Sequence, residues 1–467
     1  MNTPDDDSAL SESFRTLPPP VADIPTASMP SMKRVTLPSG ITLHTLVHKA
    51  TPVIYLTVLT EGGIAEASSP AVAALTSILQ REGSRSFNGP QLSETLDFNG
   101  AWMKSEATAH HRRHSLYTLS SKLPDVLPAF VDMVFRPTFP DTPLSVRRES
   151  LAQNIEISDN NVSYLTRCTS DRLMMGCSHP LAVVDTPAGI RALTRRQLEE
   201  FHATFCHAAS TSVFICGDIT DSTVGLITSA IEEAAPRSAA PGFNINGFTP
   251  AAPGICETRR PEAAQSAVEL TLPAIPRSHP DFLPLHLTIY ALGGYFGSRL
   301  MLNIREEKGL TYGISAFLPG YADGAYTDIA AETDNAYVGR LIDEVRHELV
   351  RLADDPPQGD ELIRLKQSAI SAQASVTDSP LSIADYHITN ITQALTPGYF
   401  EAKQQAIIDL SPATISRMAS LYLDPDALRI AIAGNPTISD SPSDSPKVKV
   451  ETQFSTCIAP YFLRPQG

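Results

Sequence analysis

The chain has 467 residues, 42% of them apolar and 19% charged, and a formal net charge of -15. Such a length is too great for one ordinary core and suggests two domains of roughly 200 residues, with ample apolar material for both. The acidic balance argues against a nucleic-acid binder, which needs a basic surface, and no apolar run approaches the roughly 18 residues that span a bilayer.

Residues 1–32 read as a disordered arm, acidic at Asp5 to Asp7 and then rich in Pro and Ser, with no apolar stretch of the kind that marks a secretory signal. Six cysteines are scattered without a C-x-x-C pair, as expected of buried, reduced thiols, and a cytoplasmic location follows as the expectation. Ordered sequence starts with "MKRVTLPSGITLHTLVHK", two strand-like runs around the turn Pro38-Ser39-Gly40. A third strand is predicted over Val53–Leu59, followed by Gly62-Gly63 and a helix over 71–82.

Two later segments repeat each other. Leu193-Thr194 opens the helical "RRQLEEFHATF", with Thr194 as N-cap, and leads to the strand "TSVFICGD". Leu410-Ser411 opens "PATISRMASLYL", with Ser411 as N-cap and Pro412 at the first helical position, and leads to "ALRIAIAGN". The Leu193–Leu410 and Gly217–Gly434 separations are both 217 residues. A helix, a connection and a buried strand in one register point to two similar halves. The Pro-, Gly- and Ala-rich stretch 237–254 reads as their linker. The halves are then 33–236 and 255–436, and 437–467 is a tail rich in Ser, Pro and Asp that reaches an apolar patch near Phe462.

Three stretches taken together resemble the pitrilysin/insulinase-type zinc peptidases, in particular the class that includes the mitochondrial processing peptidase. "LPSGITLHTLV" is similar to the family's opening hairpin. "SHPLAVVDTPAGIRALTRRQLEEFHATFCHAASTSVFICGDI" resembles the last third of its first domain, and "LGGYFGSRLMLNIREEKGLTYGISAFL" resembles the most distinctive segment of its second. The resemblance covers roughly residues 33 to 436. It implies an α+β fold of two homologous domains, each a mostly antiparallel sheet packed with helices, together forming half of a clamshell.

Active members carry His-x-x-Glu-His on the helix after the third strand. Two His at i and i+4 share one helix face and can hold one zinc, and the Glu beside them deprotonates its water. Placing Gly83 on the family's glycine after that helix puts Ala74, Ser77 and Ile78 at the three motif positions. No shift of register restores the motif, because no His lies between His48 and His110. Downstream, "ESLAQNIEI" keeps Glu149 and Glu156 seven apart on one helical face, and Glu156 matches the family's third ligand. A single carboxylate does not hold catalytic zinc, so both read as relic carboxylates. His110, His111 and His114 form a superficial alternative, but they run into strand-like sequence. There, positions four apart lie about 13 Å from each other, so a solvated or interface strand is expected rather than a metal site.

In the family, an Arg and a Tyr seven residues apart project from the second domain toward the zinc-bearing one and grip the substrate backbone. They correspond to Arg305 and Tyr312, and a guanidinium and a phenol are apt donors to a carbonyl oxygen that becomes an oxyanion. Gly293, Gly294 and Gly297 suit a loop that turns tightly or admits a ligand backbone. The resemblance therefore implies a non-catalytic subunit without a cofactor of its own. Its partner would be a zinc-bearing homologous chain in a heterodimer, and its substrates extended peptides. A peptidase-fold scaffold without proteolytic role, and a peptidase with an unrecognised site, are the alternatives.

Overall fold

The computed structural model describes residues 26–237, 246–322 and 324–437. The first half is built on strands β1 (Lys33–Thr36), β2 (Thr42–Val47), β3 (Val53–Glu61), β4 (Trp102–Ala107), β5 (His111–Leu119) and β6 (Thr211–Gly217). They form one sheet in the order β1-β2-β6-β3-β5-β4. The second half contributes β7 (Gly254–Arg259), β8 (Gln265–Ala274), β9 (Thr311–Phe317), β10 (Ala325–Asp334) and β11 (Arg429–Gly434), in the order β7-β11-β8-β10-β9.

Apart from the extra β1, the two sheets have one topology, with β2 matching β7 and β6 matching β11. In each, the last strand inserts next to the first, parallel to it, and every other pairing is antiparallel. The 217-residue repeat is therefore structural. Both copies of the closing strand end on a glycine with positive φ, +121° at Gly217 and +149° at Gly434. A Cβ at Gly217 would lie 2.1 Å from the Val53 carbonyl oxygen, and one at Gly434 2.2 Å from the Ser266 hydroxyl, so only glycine lets each closing strand run tight against its neighbour.

The helices of the first half are α1 (Pro70–Leu79), α2 (Gly89–Phe98), α3 (Leu123–Phe135), α4 (Asp141–Ser158), α5 (Val162–Met175), α6 (Pro187–Ala192), α7 (Arg195–Phe205) and α8 (Asp221–Ala234). Those of the second are α9 (Phe282–Ile289), α10 (Val338–Asp354), α11 (Gly359–Ala374), α12 (Pro380–Thr392), α13 (Tyr399–Asp409) and α14 (Pro412–Tyr422). The predicted caps are in place. The Thr194 backbone N–H donates to the Gln197 side chain at 2.8 Å, and Ser411 accepts from the Thr414 N–H at 3.2 Å, ahead of Pro412.

Strand period decides which side chains enter which core. Leu43, Ile54, Leu56, Val58, Leu116, Val213 and Ile215 face α2, α3 and α8, through Leu96, Phe130, Val134 and Ile231. In the second sheet Val268, Leu270, Ile329, Ile430 and Ile432 meet α10 and α14 in the same way.

The opposite sheet faces correct the domain boundaries. The sequence places α5 wholly in a 33–236 domain, yet it packs on β8 and β11 of the second sheet. There the Thr166 hydroxyl donates to the Ala267 carbonyl and Arg167 pairs with Asp328 at 2.7 Å. In return α12 covers β6 of the first sheet: Ile383 and Ala384 join Leu46, Tyr55 and Cys216, and the Tyr55 hydroxyl donates to Asp385 at 2.9 Å. Each sheet has a second face that its own half leaves partly bare, and a helix from the other half buries it.

Order also begins earlier than residue 33. Met29 and Met32 pack into the clusters that hold Ile383 and Ile388, and the Pro30 carbonyl accepts from His387 at 2.8 Å. Two half-buried thioethers therefore tie down the end of the predicted arm, whose first 25 residues lie outside the described ones. The described part of the predicted linker is likewise not free, since the Thr249 and Ala251 N–H groups donate to the Met175 and Leu173 carbonyls at the end of α5. Its last residue, Gly254, already belongs to β7. Of the predicted tail only Thr437 is described, so the apolar patch near Phe462 lies outside the described residues. Among the described residues no helix is long and apolar enough to cross a membrane.

Candidate functional site

Helix α1 starts at Ser69-Pro70, with Pro70 at its first turn and the Ala71 N–H donating to Asp185 at 2.6 Å. It is the helix expected over 71–82, whose last residues, Gln80–Glu82, tighten into a 3₁₀ turn. Between Ala71 and Leu79 every side chain is buried except Ala74 and Ile78, which are half-buried. These two positions, four apart, are those that the resemblance aligns with the family's histidines, and they offer a methyl and a branched hydrocarbon. Ser77 is fully buried, and its hydroxyl donates back to the Ala73 carbonyl at 3.0 Å. No ligand and no base stands on this helix.

Glu149 and Glu156 sit on α4, which shares an apolar cluster with α1 through Leu75, Leu79, Ala152 and Ile155. Their carboxylates converge on Arg191, at the end of α6. Its Nε and Nη2 each donate to Glu149 at 2.9 Å, and its Nη1 donates to Glu156 at 2.8 Å. The contact is bidentate to one acid and single to the other, a geometry that suits a planar guanidinium. Hydrogen bonding from Arg191 holds the Glu149 carboxyl below its usual range. Ile190, 1% exposed, anchors α6 in the core, and this sets the neighbouring Arg191 at the surface beside α4. Sequence reasoning passed over Arg191, because nothing local marks an arginine whose partners lie 42 and 35 positions away.

A zinc ion does not fit this residue set. Two motif positions carry no donor atom, the third spends its hydroxyl on its own helix, and a fixed cation already holds both acids.

The histidines lie on or beside an inner strand, so the solvated half of the expectation does not hold. His114, on β5 between β3 and β4, is 1% exposed, His110, just before that strand, is 4% exposed, and His111 is half-buried. His110 is hydrogen-bonded to Glu66 at 2.8 Å, and His114 to the Ser105 hydroxyl at 2.9 Å. Burial, and then the charge of Arg112, drive the His114 pKa well below 6.5; burial first, then His110, lowers that of His111 to about 4. Arg112, completely buried, lies 5.2 Å above the Phe201 ring. Among the described residues, no group of three or more His, Cys, Asp or Glu is gathered in a way that could hold a metal.

In the second half, α9 runs into two π-helical stretches, Tyr290–Gly294 and Met301–Glu307, a form enriched at functional positions. Arg305 lies in the second. Its Nε donates to the Tyr312 carbonyl at 3.0 Å, its Nη1 pairs with Glu306, and its guanidinium stacks 4.9 Å from the Phe296 ring. Tyr312 stands on β9, the edge of the sheet, with its side chain 96% exposed, and Phe296 is 66% exposed. The fold thus fixes the Tyr312 backbone and leaves its ring and hydroxyl outside. Phe296 was not foreseen, although an exposed Phe between two glycines was a visible signal.

The close approach that Gly293 permits is to the chain's own strand. A Cβ there would lie 2.6 Å from the Ala316 Cβ and backbone N on β9, and one at Gly294 would lie 2.5 Å from the Tyr290 ring. Gly293 thus lets the π-helical turn press against the strand that carries Tyr312, and Gly294 lets the turn fold over its own Tyr290 ring. A separate cavity of about 310 Å³ opens at the seam between the halves, lined by Glu156, Tyr164, Cys168, Arg172 and Arg260 among others.

Two duplicated α+β halves with exchanged helices, a motif helix emptied of ligands and an exposed Arg–Tyr pair define a peptidase-type fold without its own metal motif. Residues 192–369 match the model of the peptidase M16 inactive domain. An uncharacterised zinc protease of Streptomyces coelicolor is 23% identical over 350 residues, covering 72% of this chain and 74% of the relative. One of Bacillus subtilis is 19% identical over 361 residues, covering 76% and 86%. Among solved structures, a peptidase M16 inactive domain from Pseudomonas fluorescens superposes with a TM-score of 0.81 at 23% identity, over 88% of this chain and all of that one. A protease from Helicobacter pylori gives 0.79 at 17% identity, over 87% and all of it. The chain therefore shares the fold of the M16 inactive-domain structures, its residues 192–369 match that domain's family model, and it is similar to bacterial proteins named as zinc proteases.

Proposed function

We propose that this chain is the non-catalytic subunit of a heterodimeric zinc metallopeptidase. A homologous partner supplies the zinc, and this chain supplies Arg305, Tyr312 and chamber wall for the cleavage of unfolded, extended peptides. One observation carries the reading: Tyr312 presents its ring and hydroxyl outward on an edge strand while Arg305, half-buried in the adjoining π-helical stretch, donates to its carbonyl, in a chain whose motif helix offers no metal ligand. An edge strand also suits a peptide that binds by strand addition. Gly293 enters this reading as the packing that holds β9 in place, and Gly294 as the close turn over Tyr290 beside it. A cytoplasmic site of action accords with the described cysteines, all free thiols.

The test is reconstitution with a zinc-bearing homologue from the same cell. Addition of the chain raises turnover of an unstructured peptide, and Arg305→Ala or Tyr312→Phe lowers kcat/KM of the pair at least ten-fold while leaving assembly intact. A chain that neither binds such a homologue nor changes its turnover ends the proposal.

A second reading has its own support. Arg305 already bonds Tyr312, Glu306 and Phe296, as a purely structural arginine would. A peptidase-fold scaffold without proteolytic role follows from that. It predicts that the same two substitutions are functionally silent.

A further inference from the structure

Arg191 has no place in the proposed function, and its surroundings give it one. We propose that its guanidinium is a built-in substitute for the metal: a fixed cation that occupies Glu149 and Glu156 and keeps divalent ions out of the degenerate site.

Three observations meet here. The acids are held together, Glu149 through both oxygens and Glu156 through one, at 2.8 to 2.9 Å. The cation comes from α6, a short helix whose Thr186 cap and buried Ile190 fix its position, so Arg191 is placed by the fold rather than by chance contact. Ala74 and Ile78 remain the two half-buried positions of α1, so the motif face keeps its exposure while its ligands are gone.

Without Arg191 the two carboxylates, each about half exposed, would lie open to a stray cation. Arg191 closes them with one positive charge and three directed N–H donors. The same charge repels a divalent ion, and it occupies the carboxylate that such an ion would need. The site is therefore closed twice over, by absent histidines and by a resident cation. Restoring the histidines with Arg191 still in place reopens it only weakly.

Zinc titration of the full chain by calorimetry, with metal content checked on the desalted protein, tests this. The graft Ala74→His, Ser77→Glu, Ile78→His is compared with the same graft carrying Arg191→Ala. The expected result is one zinc per chain in the second and at least about ten-fold weaker uptake in the first. Equal affinity in both, or no uptake in either while circular dichroism shows a folded chain, overturns the proposal.

If the graft does not fold, the single variants decide. Arg191→Ala should bind Mn²⁺, followed by its electron paramagnetic resonance signal, in a manner lost in Arg191→Ala/Glu156→Gln, whereas the wild-type chain leaves Mn²⁺ free. Identical Mn²⁺ behaviour of wild type and Arg191→Ala shows that Arg191 keeps nothing out.

Discussion

Arg167, on a helix of the first half, places Nη1 2.7 Å from a carboxylate oxygen of Asp328, which is 1% exposed on the second sheet. The pair bridges the halves. Asp171 and Glu269 lie close by, and Tyr326 donates to Asp171 at 2.9 Å. Arg167→Met leaves two buried acids and the half-buried Asp171 without this cation and should destabilise the chain by about 2–3 kcal/mol. That is below the full cost of breaking a buried pair, because the Arg167 side chain is itself 41% exposed. Urea unfolding measures it, and loss of cooperativity between the halves should accompany it.

The same cluster makes stability depend on pH. Burial first, then Asp328, raises the Glu269 carboxyl above its ordinary 4.5, while Arg167 and Ser170 oppose the shift. Because the folded chain holds this proton more tightly than the unfolded one, the contribution is complete below pH 4.5. It is lost as pH climbs from there toward the raised folded value. Glu269→Gln should therefore flatten the decline in unfolding free energy between pH 5 and 8. An unchanged slope would exclude Glu269 as its source.

Buried histidines act in the opposite sense. Burial, reinforced by Arg112, lowers His202 to about 3, and its Nε2–H donates to the Val134 carbonyl at 2.9 Å. Burial, reinforced by Arg34, lowers His44 to about 4. Their neutral forms are favoured on folding, so the stability they contribute is present above pH 6.5 and disappears as pH falls toward 4 and below. Each contributes roughly a few kcal/mol at neutral pH. His202→Gln, which keeps a donor, should give a shallower acid limb in thermal unfolding measured from pH 7 to 4.

Gly293→Ala forces a methyl into the space of Ala316 and should cost about 1–3 kcal/mol, the usual range for overpacking. The double variant with Ala316→Gly should regain part of that loss. Hydrogen exchange along β9 should report the disturbance beside Tyr312, and an unaffected strand would mean that the turn can yield elsewhere.

The absence of the zinc motif needed only the residue string, because a missing histidine between His48 and His110 cannot be supplied by folding. The duplication was equally legible, since Thr194 and Ser411 caps, buried strands and terminal glycines are local features repeated at one spacing. Gly293 was legible as a site of close approach but not as to what approaches, because a glycine records permission and not the neighbour. The pattern "HHRRH" left a solvated and an interface strand equally open, and only the position of β5 between two strands buries His114.

The order of amino acids settled what chemistry this chain lacks and that it is built twice, because side-chain identity and periodicity are one-dimensional facts. Packing decided the rest. α5 and α12 change partners because each sheet has a bare face and an apolar helix carries no address. Arg191 meets Glu149 and Glu156 only because α6 docks on α4, and charges attract through space whatever their separation along the chain.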